Sequence, residues 1–186
     1  SKEHPRGFFG PNVNPKDGVE FRGGKGNLYE GGLKIPFLVR WPGVVAANTV
    51  RDLVFYQPDM MATIADITNT KAPEDTDGIS IAPTLLGADG SQKLHEMMYW
   101  EYGNQTAVRY GKWKAIQPGK PKGSKQDQPW ELYDISSDRS EQHDLSQEHA
   151  NHTKSMAEAW DAYAARAKVI SWDKIRPKKK SNVKKK

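Results

Sequence analysis

Apolar and polar positions along this chain follow two different periods, and the change of period divides it. From Pro58 the sequence Pro-Asp-Met-Met-Ala-Thr-Ile-Ala-Asp-Ile-Thr places Met60, Met61, Ile64, Ile67 and Thr68 on one broad face, the pattern of an amphipathic helix of about three turns. Pro58 suits a first-turn position and Asp59 suits the positive end of the helix dipole. Ahead of it, Ile35-Pro36-Phe37-Leu38-Val39-Arg40-Trp41 is nearly continuously apolar and is closed by Pro42-Gly43. That run reads as a strand buried on both faces, as in a largely parallel sheet. After an acidic loop and the Asp77-Gly78 turn, Ile81, Leu85 and Leu86 predict a shorter helix starting near Ala82-Pro83.

Past residue 90 the pattern becomes aromatic and strand-like. Met97-Met98-Tyr99-Trp100-Glu101-Tyr102, then Thr106-Ala107-Val108-Arg109-Tyr110 linked through Gly111 to Lys112-Trp113-Lys114-Ala115-Ile116, then Trp130-Glu131-Leu132-Tyr133-Asp134-Ile135 predict a small antiparallel sheet. The Gly111 link suits a tight hairpin or bulge, and residues 117–128, rich in Pro, Gly and Lys, form an exposed connection. Met156, Trp160, Tyr163, Ala167 and Ile170 then recur at helical spacing and predict a helix covering one face of that sheet. The expected class is α/β. Residues 1–90 read as the end of a larger mixed-sheet unit, 91–173 as a small α+β subdomain, and 174–186 as a basic, disordered tail.

Composition refines this picture. The apolar fraction is 36%, below the ~45–50% of an ordinary globular domain, yet six Trp, seven Tyr and five Phe argue for a folded middle. No stretch approaches the ~18 apolar residues of a membrane span. The absence of cysteine rules out disulfides, a thiolate metal site and a cysteine nucleophile within the chain. The net charge of +5 suggests nucleic acid until it is divided. Eight of the 28 basic residues lie between Lys174 and Lys186, which leaves 20 basic against 23 acidic elsewhere, or −3. The basicity belongs to the tail. Blocks of like charge attract nucleic acid or anionic surfaces by counterion release, but no aromatic follows Trp172 to stack on bases.

The best candidate for chemistry is the glycine-rich run around Lys25. It fails the phosphate-loop pattern, because Gly26 follows Lys25 and the spacing from Gly18 is one residue too long. What remains is a cation between glycines, where backbone N–H groups and an ammonium can approach one anionic group together, or a turn whose lysine meets only solvent.

The string Arg22-Gly23-Gly24-Lys25-Gly26-Asn27-Leu28-Tyr29-Glu30-Gly31-Gly32-Leu33-Lys34-Ile35-Pro36-Phe37-Leu38-Val39-Arg40-Trp41-Pro42-Gly43 resembles the segment of type I sulfatases that follows their Asp-Asn-Gly metal motif. The resemblance continues, in family order, through Gln57-Pro58-Asp59-Met60-Met61-Ala62-Thr63-Ile64, Asp77-Gly78-Ile79-Ser80 with Pro83-Thr84-Leu85-Leu86, Tyr99-Trp100-Glu101-Tyr102, Ala107-Val108-Arg109 with Gly111-Lys112-Trp113-Lys114, and Glu131-Leu132-Tyr133-Asp134-Ile135. It covers roughly residues 20–170 and implies the C-terminal end of an alkaline-phosphatase-like mixed sheet followed by the small subdomain.

In such enzymes a lysine in the Gly-Lys-x-x-x-Tyr-Glu-Gly-Gly context reaches the sulfate ester, and only Lys25 occupies that place here. The resemblance also implies a formylglycine nucleophile made from Cys or Ser in a Cys-x-Pro-x-Arg motif, and a calcium ion held by acidic residues and an Asn. This chain carries neither motif, so calcium ligands are expected outside it and the chain alone is expected to be inactive, the C-terminal third or so of a sulfatase. His4, in the opening loop, is a further candidate to line the substrate pocket. A secreted, periplasmic or lysosomal location and a sulfated small molecule or glycan as substrate follow from the same resemblance. The oligomeric state does not.

His143, His149 and His152 cluster without the carboxylate spacing of a zinc site, and Asn104-Gln105-Thr106 and Asn151-His152-Thr153 fit the glycosylation sequon. Three readings stand together at this point: a sulfuric-ester hydrolase segment, a phosphate- or phosphonate-ester hydrolase of the same superfamily, and a non-enzymatic binding module with a basic tail.

Overall fold

A computed structural model describes residues 13–14, 17–121, 124 and 126–175. The elements in order are α1 (Glu30–Leu33), α2 (Pro58–Ile67), α3 (Ala82–Leu85), a 3-10 turn (Asp89–Ser91), β1 (Met97–Tyr102), β2 (Gln105–Tyr110), β3 (Trp113–Gln117), β4 (Glu131–Asp134), α4 (Ala150–Arg166) and α5 (Trp172–Ile175). They form two compact units: residues up to Ile35 together with those from Met97 onward, and Pro36–Glu96 between them.

In the first unit the aromatic runs become an antiparallel meander, β1-β2-β3-β4 in sheet order. Gly111, at φ +55°, turns the chain between β2 and β3, a conformation that favours glycine. Because side chains alternate across a strand, the register Trp100↔Ala107, Ala107↔Ile116 and Lys114↔Tyr133 puts these residues on one face. Tyr99, Val108, Ala115 and Leu132 take the other.

The second of these faces is the expected one. Val108, Ala115 and Leu132 are buried with Met156 of α4, flanked by Tyr99, Trp113 and Trp160. Tyr99 stacks on Tyr163 with ring centroids 4.2 Å apart, and Trp160 Nε1 donates to the Trp100 carbonyl at 3.3 Å. The expected stripe ends sooner than its spacing suggested. Helix α4 stops at Arg166 and Lys168 is left-handed at φ +53°, so Ala167 and Ile170 fall beyond the helical repeat and are exposed.

The opposite face is covered by a segment that carries no hydrophobic period. Leu28 and Tyr29 of the glycine-rich run pack with Ala107, Ile116, Tyr133 and Ile135. Residues 21–33 therefore belong with the sheet.

At the end of β4, Asp134 accepts from Lys112 Nζ at 2.6 Å and from Ser136 Oγ and N. These hydrogen bonds, Lys112's first, hold its carboxyl at about 2 against an ordinary 3.8. A lowered folded value stabilises above the ordinary carboxylate range and is lost as pH falls towards about 2. Lys112→Ala is expected to move the Asp134 titration midpoint upward, read by carboxyl NMR shifts. An unmoved midpoint would show that the lysine contributes nothing.

In the second unit α2 forms where expected but buries the other face. Met61, Ile64 and Ile67 are exposed, whereas Asp59, Ala62, Thr63 and Ala65 are buried. The cause is polar. Asp59 accepts from the backbone N–H of Tyr56 (2.9 Å) and Ile79 (2.8 Å) and pairs with His95 Nε2 at 2.7 Å. Thr63 Oγ1 donates to the Asp59 carbonyl and accepts from Ile81 N–H. These bonds turn the short-side-chain face inward.

Residues 35–41 carry no strand, and their side chains are exposed, Ile35 by 76% and Leu38 by 89%. A strand exists only where neighbours take up its N–H and C=O groups. Among the described residues no segment pairs with this run.

Candidate functional site

Lys25 sits on a tight turn closed by the Asn27 N–H donating to the Gly24 carbonyl at 2.9 Å. Gly26, the third residue of that turn, has φ +90°, a value open to glycine and strained for other residues. Gly23, at φ +74°, bends the chain into the turn. The Asn27 side chain accepts from Gly24 N–H and donates to the Gly26 carbonyl, both at 3.3 Å. The local sequence thus builds a small, internally bonded loop that presents the exposed Lys25.

Two polar clusters fasten this loop to the sheet. At its start, the Arg22 guanidinium lies 4.1 Å over the Tyr29 ring, pairs with Glu131 at 3.2 Å and donates to Tyr133 Oη. Tyr29 and Tyr133 both donate to Glu131 Oε2 at 2.7 Å. Burial and then the Glu131 hydrogen bond push both phenols well above the ordinary tyrosine range. They remain neutral donors. Burial works against the Arg22 charge, but Tyr133, Tyr29 and Glu131 together hold it above its ordinary value.

At the far end of the loop Lys114, from β3, is fully buried between two carboxylates. Its Nζ is 2.9 Å from Glu30 Oε1 and 2.8 Å from Glu141 Oε1, the latter a charge contact not aligned as a hydrogen bond. Glu141 Oε2 accepts the Glu30 backbone N–H at 2.6 Å. Burial raises the Glu141 carboxyl despite Lys114. For Glu30 burial pushes upward too, but Lys114 at hydrogen-bond distance outweighs it and the carboxyl lies below its ordinary value. A buried lysine shared by two acids is stable only while each lone pair and proton finds a partner.

Residues 24–164 match the model of the family described as N-sulphoglucosamine sulphohydrolase, C-terminal. The chain belongs to that family.

This sulfatase segment is 31% identical over 156 residues to the N-acetylgalactosamine-6-O-sulfatase of Bacteroides thetaiotaomicron, covering 78% of this chain and 30% of the relative. It is 41% identical over 102 residues to an arylsulfatase of Hemicentrotus pulcherrimus, covering 53% and 18%. A solved 6S-sulfatase from a Bacteroides thetaiotaomicron glycosaminoglycan locus superposes with a TM-score of 0.66 at 31% identity over 78% of this chain and 32% of that one. The structure of Ps i-CgsB gives 0.62 at 25% identity over 79% and 33%, and that protein was also solved with k-i-k-neocarrahexaose. The segment spans about a third of the length of these two solved chains. Its α/β class, with the antiparallel sheet and C-terminal helix, is that of the family.

The sulfatase segment places its candidate residues unequally. Lys25 stands on the turn just described, whereas His4 and the basic residues past Ile175 lie outside the described residues. Among the described residues no three His, Asp or Glu side chains gather to hold a metal ion. His149 and His152 turn their rings onto Trp113 at 5.0 and 5.2 Å, while His143 stands apart beside Asp138. No described helix is long and apolar enough to cross a membrane.

Sequence reasoning missed Lys114, Glu131, Glu141 and Gln105, whose amide touches the loop on both sides of Gly26 and Asn27. A signal for the first did exist. Period-2 alternation sets Lys114 on the same face as Ile116, and a lysine on a buried face demands an acid.

Proposed function

We propose that the protein carrying this chain hydrolyses sulfate esters, and that Lys25 is the cation that meets the sulfate group. The observation that supports this is the glycine-flanked turn holding Lys25, fixed on its two sides by one partly buried and one buried polar cluster and lying inside the region that matches the family. An ammonium is a compact point charge suited to one sulfate oxygen. As the S–O bond to the leaving group breaks, negative charge grows on the bridging oxygen and the departing group, and a fixed cation stabilises that growth. The loop's bonding keeps the cation in place before substrate arrives, so little reorganisation accompanies the reaction. Tyr29 and Glu30 shape the loop.

The formylglycine that attacks sulfur and the calcium ion belong, on this reading, to residues outside this chain. The substrate class is a sulfated carbohydrate or aryl ester. Relatives named for N-acetylgalactosamine-6-O-sulfate, ulvan and aryl sulfates support that class. His4 is assigned to the pocket edge, and the location is secreted, periplasmic or lysosomal.

The test is turnover of an aryl sulfate and the matching aryl phosphate by the natural protein that carries this chain. The sulfate is expected to be the better substrate, and Lys25→Ala to lower kcat/KM for it by about 10²–10³. Preference for the phosphate would give the place to the phosphate-ester reading. An unchanged kcat/KM in Lys25→Ala would remove Lys25 from the chemistry.

A further inference from the structure

Gln105 opens β2 and points to the sheet face that carries the glycine-rich segment. Its amide makes two bonds to the backbone of one loop. Nε2 donates to the Gly26 carbonyl at 3.0 Å, and Oε1 accepts the Leu28 N–H at 3.3 Å. Both bonds use the same amide orientation. The side chain therefore spans residues 26 to 28, immediately after Lys25. Close by, a Cβ on Gly26 would meet the Tyr102 ring at 3.6 Å, so the β1–β2 hairpin touches the loop with an aromatic edge as well. Leu28 is itself anchored in the core with Ala107 and Ile116.

We propose that Gln105 is a positioning residue for Lys25, fixing the height and direction of the turn against the sheet so that the ammonium is held where sulfate docks. The inference rests on the reading of Lys25 given above. The chemistry demands glutamine. A donor and an acceptor on one planar group satisfy a carbonyl and an N–H two residues apart, and no other uncharged side chain of that reach offers both. Glutamate keeps the acceptor but sets an oxygen against the Gly26 carbonyl; asparagine is one methylene short; alanine leaves both backbone groups without their partner. The two clusters described earlier grip the loop at Arg22, Tyr29 and Glu30, outside the turn. The Gln105 bonds reach the loop at Gly26, the residue next to Lys25.

The experiment uses the natural protein that carries this chain, with inorganic sulfate as the probe. In Gln105→Ala the Leu28 amide is expected to exchange with solvent about tenfold faster, while the amides of Ala107 and Ile116 keep their protection. Sulfate titration followed by the amide shifts of Gly24, Gly26 and Asn27 is expected to weaken about fivefold, one lost hydrogen bond's worth of order, and Lys25→Ala to abolish those shifts. Gln105→Glu, which keeps length and acceptor, is expected to retain Leu28 protection yet weaken sulfate binding at least as much as Gln105→Ala. That combination separates placement of the cation from simple loss of stability.

Unchanged Leu28 exchange in Gln105→Ala overturns the inference. So does full sulfate affinity in both Gln105 variants while Lys25→Ala abolishes it, an outcome that leaves the reading of Lys25 intact. Sulfate shifts that are absent from the wild-type protein, or that survive Lys25→Ala, remove that reading and the positioning role with it.

Discussion

Lys114→Met is expected to lower the unfolding free energy by about 3–5 kcal/mol, the loss seen when one partner of a buried ionic cluster is deleted. Lys114 is fully buried and holds Glu30 and Glu141 at 2.9 and 2.8 Å. Without it two buried carboxylates face each other across a site that excludes water. The pH dependence should change as well. Glu30, held below its ordinary 4.5 by Lys114, now stabilises the fold above the carboxylate range and loses that contribution as pH falls through it. Glu141, raised by burial, acts in the opposite sense. With the lysine gone the largest offset to burial is lost at both acids, leaving Arg109 and Lys34 near Glu30 and the Glu30 N–H on Glu141. Both carboxyls rise, and the variant loses stability as pH rises through the carboxylate range. Urea denaturation at pH 4 and pH 7 should show the larger deficit at pH 7. Adding Glu30→Gln and Glu141→Gln to the variant should restore most of the loss, since neutral amides need no counter-charge. A deficit below about 1 kcal/mol at both pH values would mean that the cluster is solvated and does not act as a clamp.

Gly32→Ala carries a loss of similar size for a different reason. A Cβ there would overlap the Asn27 carbonyl oxygen and lie 2.5 Å from that of Gly24. Neither oxygen can withdraw easily. The Gly24 carbonyl closes the Lys25 turn, and Asn27 is fixed by the neighbouring bonds of Leu28 and Gly26. Overpacking against backbone costs more than crowding a flexible side chain, here about 4 kcal/mol or more. Gly24→Ala is the control, because a Cβ at that position meets nothing within 4 Å and its φ is not left-handed. It should change stability by less than about 1 kcal/mol. Thermal unfolding of the two variants side by side decides the matter, and equal midpoints would show that the loop is looser than its bonding suggests.

The parts of the fold that were legible in the sequence are those whose instructions are local. The meander could be read because each strand pairs with the next and turn residues mark the joins. Helix α4 could be read as far as Tyr163 because Met156 and Trp160 keep the helical interval. Where the reading failed, a distant partner decided. Helix α2 turned Met61, Ile64 and Ile67 outward because Asp59 answers to Tyr56, Ile79 and His95. Residues 35–41 look like a buried strand by composition, yet composition cannot supply the neighbours that make a strand. For the site, glycine spacing and resemblance singled out Lys25, but no local pattern connects Arg22 with Glu131 or Glu30 with Glu141, which lie 109 and 111 positions apart.

Those separations bear on how the molecule tolerates change and how it folds. Contacts within the meander close short loops and form early, whereas docking the cation-bearing segment must close a loop of 84 positions between Glu30 and Lys114. On these separations the meander is expected to assemble before the glycine-rich turn docks. Yet the entropy of closing a long loop grows only with the logarithm of its length, about 0.6 kcal/mol for each doubling. Residues 36–96 can thus lengthen or shorten considerably without loosening the grip on Lys25. The fold separates a region free to vary from a glycine-rich loop that is not.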